Sequence, residues 1–253
     1  MPEKNACTTE VNKNSGIRRN YILRLIGRIF ILILCICAWI FRPGMFDILE
    51  GFRFFDRFSP LHILWGIWVI DMILQLVPVK NHLPLGSQKL YRCRFRPIRE
   101  KINYPALRDY VVSTTKAAYK VFILWALLLA VIGGLHYFGI LNDTALFMIT
   151  AAFYVCDLIC VLIWCPFRLL MKTRCCTTCR IFNWDHLMMF TPMMFINSFY
   201  TRTLLLLAIA VFLVWELCVM MYPERFWEHS NEALRCSACT DKLCTQYCRK
   251  LRQ

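Results

Sequence analysis

The chain has 253 residues, 58% of them hydrophobic and only 18% charged, with a net charge of +14. A soluble globular domain is nearer 45–50% apolar and about 25% charged, so that class is excluded as the expectation. So is a nucleic-acid binder, because the Lys and Arg residues crowd at the ends of apolar runs, where they set membrane orientation instead.

Residues 1–20 are polar and basic, and they read as a disordered cytoplasmic N-terminus. The first apolar run follows at about 22–41. No small-residue cleavage site follows it, so it reads as a retained signal anchor. Its uninterrupted part begins at Ile29, and Arg24 and Arg28 are expected to reach back to the interface. Stretch 42–60, "RPGMFDILEGFRFFDRFSP", is charge-balanced and Phe-rich, which suits an amphipathic segment on the outer membrane surface.

Further apolar runs lie at about 61–79, 119–141, 145–167 and 203–222, each near the roughly 20 residues that a span needs. Gly133 and Gly134, in the third run, mark a packing or bending site. The weaker run 187–200, "LMMFTPMMFINSFY", is short and holds a Pro. It reads as a short broken segment, re-entrant, interfacial or crossing. The basic loops are 80–118 and 168–186, whereas 142–144, "NDT", has no basic residue. The positive-inside rule then puts the N-terminus, 80–118 and 168–186 in the cytoplasm.

The expected fold is therefore all-α. It is a polytopic helical bundle of five or six transmembrane segments over 21–222, with a cytoplasmic Cys-rich tail at 223–253. This resembles the small polytopic proteins of bacterial plasma (inner) membranes. The bilayer is the expected partner, and the basic loops offer a contact for anionic lipid headgroups.

Fifteen cysteines are present. Two sets lie in polar stretches, "RCCTTC" at 174–179 and "RCSACTDKLCTQYC" at 235–248. A reducing cytosol disfavours disulfides there. Cys176-x-x-Cys179 and Cys236-x-x-Cys239 form two knuckles flanking one helical hairpin. Paired knuckles let four thiolates reach one ion, so they are candidate ligands for Zn or an Fe–S cluster, with the choice open. Cys175, Cys244, Cys248 and His186 are further candidates. The run C-x2-C-x4-C-x3-C from Cys236 loosely resembles that of bacterial-type ferredoxins, C-x2-C-x2-C-x3-C-P. It departs in the middle spacing and in having Arg249 where the Pro would stand.

Three acids lie inside the apolar runs: Asp71, Asp157 and Glu216. Intramembrane acids are functional candidates by default, and Asp71 with Asp157 are expected at similar depth. Cys35, Cys37, Cys156 and Cys160 read mainly as small hydrophobic residues. Walker, nucleophile-elbow, zincin and dinucleotide motifs are absent. The leading functional expectation is a non-enzymatic membrane protein whose thiolate site, structural or electron-carrying, joins 168–186 to the tail. The alternatives are a soft-metal or ion transporter using the intramembrane Asp and Cys, and a membrane thiol oxidoreductase.

Overall fold

The computed structural model describes residues 16–76, 95–98, 102–172 and 179–235. These fold into seven α-helices joined by short 3-10 turns: α1 (Gly16–Phe41), α2 (Pro60–Leu76), α3 (Tyr104–Tyr137), α4 (Asp143–Leu162), α5 (Phe167–Met171), α6 (Asp185–Phe190) and α7 (Phe199–Met221). No strand occurs among the described residues.

Helix starts follow local capping chemistry. The Asn103 side chain accepts from Ala106 N at 3.2 Å, with Pro105 in the first turn of α3. Asn142 accepts from Ala145 N at 2.8 Å, and Asp143 opens α4 with a favourable negative charge. Ser198 accepts from Thr201 N at 3.2 Å at the start of α7. Beyond α3 the chain reverses at Gly139, whose φ of 74° needs a residue without Cβ.

Four helices, α1, α3, α4 and α7, are long and apolar enough to cross a membrane. Helix α2 has 17 residues and is shorter than that. Only 11% of the most apolar window of α1, and 17% of that of α3, is buried, whereas α4 reaches 56%. Helix α4 is thus the central post, and the others show lipid-like faces. Leu23, Phe30, Ile123, Leu127, Leu206 and Leu213 are each more than half exposed. Such continuous apolar faces exceed what a water-soluble monomer tolerates and are compatible with a membrane protein.

Two differences from the sequence reading follow from packing. First, 104–118 is not loop but the opening turns of α3. Leu107 and Ala118 are buried there, and the Tyr110 hydroxyl donates to Phe226 O at 3.0 Å. Second, the weak run 187–200 lies inside the bundle. It comprises α6, a 3-10 turn over Thr191–Phe195 and an extended link into α7. Met189, Phe190, Met193 and Ile196 are all buried.

The path of this broken segment is fixed at both ends. Arg180 pairs with Glu216, late in α7, whereas Ser198 caps the start of α7. Residues 180–198 therefore run antiparallel to α7 over about 26 Å, taking 1.5 Å per helical residue. At the α7 start, Gly51 N donates to Asn197 O at 3.1 Å and Phe199 N to Gly51 O at 2.9 Å, which ties 42–60 to this end. At the opposite end, Glu232 N donates to Arg96 O at 2.9 Å and Ile98 N to Ser230 O at 3.3 Å. Basic stretch 95–98 and the start of the tail thus share one end of the bundle.

Gly133 touches this segment closely. A Cβ there would lie 2.4 Å from Phe195 Cζ, while one on Gly134 would meet nothing within 4 Å. Gly133→Ala should therefore destabilise the protein by about 1–3 kcal/mol. Gly134→Ala should be neutral or stabilise by up to about 1 kcal/mol. Thermal unfolding of the two variants in detergent checks this opposition of signs.

Candidate functional site

Helix α1 buries little besides Tyr21, Arg28 and Cys35, which recur on one stripe at about every second turn. That stripe lies against α4. Arg28 is therefore not at the interface, as the sequence reading expected. Its side chain is only 7% exposed. Charge explains the difference: a guanidinium facing carboxylates inside a bundle needs no route to the headgroups.

Arg28 Nη1 donates to Asp157 Oδ2 and to Tyr154 O, both at 2.7 Å. Its guanidinium lies 3.9 Å from the centre of the Tyr154 ring. Arg28 Nη2 is 3.6 Å from Asp71 Oδ2. On the far side of Asp71, His186 Nε2 stands 3.5 Å away, and His186 Nδ1 is 2.9 Å from Asp185 Oδ1. Asp185 Oδ1 also accepts from His186 N at 2.7 Å and from Gln75 Nε2 at 3.2 Å. Five ionisable side chains from α1, α2, α4 and α6 thus form one chain of contacts. Asp71 is its most accessible member, with 28% of its side chain exposed, against 10% for Asp157 and 8% for Asp185.

Local geometry brings these groups inward. Tyr154 and Asp157 are one turn apart on α4, as are Asp71 and Gln75 on α2. The sequence reading had set Asp71 and Asp157 at similar depth and had named His186 apart from them, beside the cysteines. Arg28 and Asp185 were missed as site residues. The signal for Arg28 was available: it lies about two turns from both Tyr21 and Cys35, on the same face of α1.

The charges nearly balance. Three carboxylates, Asp71, Asp157 and Asp185, face Arg28, with Arg24 adding positive charge near Asp71. One further positive charge closes the sum, and His186 supplies it only when protonated. Net charge in a low-dielectric interior costs several kcal/mol per ion, so the cluster favours holding one labile positive charge.

Glu216 sits apart from this cluster. It is doubly engaged by Arg180, whose Nε lies 3.1 Å from Oε1 and whose Nη2 contacts Oε2. Trp184 Nε1 adds a hydrogen bond at 2.7 Å, and Arg180 Nη1 donates to Thr115 at 2.8 Å. A satisfied pair of this kind fixes the broken segment against α7 and α3. Beside it opens a cleft lined by Tyr110, Thr114, Arg180 and Phe226, among others.

Of the cysteine candidates, Cys179 is described and buried. Cys175, Cys176, Cys236, Cys239, Cys244 and Cys248 lie outside the described residues. His186 stands against Asp185 and Asp71. Among the described residues, no group of three or more His, Cys, Asp or Glu side chains is arranged to hold a metal ion. Cys37 and Cys156 are exposed on the outside of the bundle, so they do not line an internal path. His62 ties a turn, with Nε2 at 2.8 Å from Phe54 O, and His136 Nδ1 stands 2.8 Å from Leu141 O.

No protein-family model matches this chain, and neither does a curated protein or a solved structure.

Arg28→Met removes the positive centre from buried carboxylates. It should cost about 3–5 kcal/mol, and the double variant Arg28→Met/Asp157→Leu should recover much of that loss. A double-mutant cycle of unfolding free energies in detergent measures the coupling directly.

Proposed function

We propose that this is an ion-handling integral membrane protein whose working site is the Arg28–Asp157–Asp71–His186–Asp185 cluster. The observation that carries the reading is the charge count of that buried cluster together with neighbouring Arg24, which lacks one positive charge when His186 is neutral. A group of this kind binds and releases a single monovalent charge at low cost, since both states stay within one unit of neutrality. Asp71 is the exchange point, because it is the most accessible carboxylate and its contacts at 3.5 and 3.6 Å are the loosest in the cluster. The cysteine part of a soft-metal path is dropped from this reading, given the outward Cys156 and Cys37.

The membrane setting rests on the four apolar helices. Lipid tails cover their exposed faces, and the basic stretches meet anionic headgroups. By the positive-inside rule, the end bearing 95–98 and the tail faces the cytoplasm of a bacterial inner membrane.

A second reading has its own support. Arg180, next to Cys179, lines the same cleft as Pro223 and Phe226 of the tail. Cys179 and the start of the tail, Pro223 to Phe226, thus meet at one end of the bundle. A Zn or Fe–S thiolate site from Cys176, Cys179, Cys236 and Cys239 would clamp that end.

Two measurements separate the readings. In proteoliposomes under an imposed potential, Asp71→Asn and Asp157→Asn should each reduce charge movement about tenfold or more. Wild-type rates in both variants would refute the ion-handling reading. Independently, metal and acid-labile sulfide should be found in anaerobically purified protein and lost on Cys176→Ser. Protein free of both removes the thiolate clamp and leaves the ion site untouched.

A further inference from the structure

We infer that the charge handled by the cluster is a proton, and that internal water held by Asn183, Thr150 and Trp68 carries it to and from both ends of the bundle. This inference rests on the ion-handling reading above and names its ion.

Three side chains outside the cluster carry the argument. Asn183 is 2% exposed, and neither its Oδ1 nor its Nδ2 has a protein partner. Thr150 is fully buried with its hydroxyl unpartnered, and Trp68 is 1% exposed with its indole N–H unpartnered. A buried amide or hydroxyl without a hydrogen bond costs about 1–3 kcal/mol. Buried polar groups in folded proteins are nearly always satisfied, and water does so where protein does not. The three residues are therefore sites for internal water.

Their placement makes a path. Trp68 lies over the α4 face that carries Thr150, because its ring is 5.8 Å from that of Phe147 and 5.7 Å from that of Tyr154, on either side of Thr150. Along α2, Asp71 is one turn beyond Trp68. Along α4, Asp157 is about two turns beyond Thr150. Water at Thr150 and Trp68 thus sits between the cluster and the 42–60 end. Tyr200, whose ring is 6.5 Å from that of Trp68, bonds Leu61 O there.

On the other side, Asn183 lies in the chain between Arg180, which pairs with Glu216 beside the cleft of Tyr110 and Thr114, and Asp185 of the cluster. Inside the cluster, Asp71 Oδ2 lies 3.6 Å from Arg28 Nη2 and 3.5 Å from His186 Nε2, so these groups follow one another directly.

A proton fits these elements better than a metal cation. Hard cations need several oxygen ligands converging on one point, and the described residues contain no such group of acids. A proton needs instead hydrogen-bonding stations in series, and each one here is a donor, an acceptor or both. The balance is simple. A proton enters from water, resides on His186 or on a carboxylate facing it, and leaves to water on the other side, with no bond order changed.

The test uses the full chain in liposomes loaded with a pH-sensitive dye. A potassium gradient with valinomycin sets the potential, and radiolabelled sodium and rubidium uptake is measured in parallel in liposomes without valinomycin, which itself carries rubidium. Proton uptake without tracer uptake, falling about tenfold in Asn183→Leu and in Thr150→Val, supports the inference. Thr150→Val keeps the side-chain shape, and Trp68→Phe, removing the N–H but keeping an aromatic ring, serves as a second conservative variant. Proton uptake unchanged in all three variants overturns the water path. Sodium or rubidium uptake that needs Asp71, without proton uptake, overturns the proton assignment and leaves the ion-handling site standing. Movement of none of these ions through the wild type overturns both.

Discussion

The bundle is organised around one guanidinium. Arg28 sits on a helix that offers apolar side chains all round from Ile29 onward, and it meets Asp157, Asp71 and the Tyr154 carbonyl. An arginine facing hydrocarbon would cost several kcal/mol. Apolar contacts between lipid-exposed helices give little register preference, because lipid tails pack against them equally well. The charge contacts supply that preference. Sliding α1 by one turn, about 5.4 Å, would strand Arg28 against α4 and leave Asp157 without its counter-charge. The position of α1 on α4, and through Asp71 that of α2, follows from this group more than from the surrounding Ile and Leu residues.

A second constraint is the broken segment between α5 and α7. Irregular backbone is tolerated at membrane depth only where protein covers it. Here α3, α4 and α7 do so, and side chains satisfy freed groups: the Thr201 hydroxyl donates to Ile196 O at 2.9 Å, and that of Thr191 to Met188 O at 3.1 Å. Trp125 Nε1 adds a bond to Thr191 at 3.1 Å. The break has a consequence for the cluster. Because α6 begins at Asp185, that carboxylate accepts from the backbone N–H of His186 as well as from its ring. A continuous helix through 180–190 would have used that N–H internally.

Much of the helical content was legible from residue type, because long apolar runs with capping residues leave few alternatives. The runs 145–167 and 203–222 each overlap a long helix, α4 (Asp143–Leu162) and α7 (Phe199–Met221), with ends that differ by a few residues. The opening of α3 was missed because 104–118 is polar enough to resemble loop, and its helical state depends on Leu107, Tyr110 and Ala118 meeting other elements. Segment 187–200 was ambiguous for a similar reason: a short Met- and Phe-rich run with a Pro is read by its surroundings, which sequence does not supply. The site was half legible. Acids in apolar runs announce themselves, so Asp71 and Asp157 stood out. Asp185 lay in a polar stretch, where an acid is unremarked. Arg28 was read by distance from the helix end instead of by the face it occupies.

The polar groups inside the bundle are in series. From the 42–60 end inward come Thr150 and Trp68, the Arg28 cluster, Asn183, and then Arg180 with Glu216 at the cleft. Cys179 precedes Arg180, and Arg235 ends the described tail just before Cys236. The tail's Phe226 lines the cleft, while Ser230 and Glu232 pair with 95–98. Any ligand that draws the two cysteine stretches together would therefore act on the mouth of the polar column, not on its centre. It would bear on Arg180 through the chain itself, and Arg180 is the residue that holds the broken segment to α7. Trp184 links that mouth to the cluster along the chain, since it bonds Glu216 at 2.7 Å on one side and leads directly into Asp185 on the other. The thiolate and ion-handling readings thus bear on separate ends of one segment, Arg180 to His186.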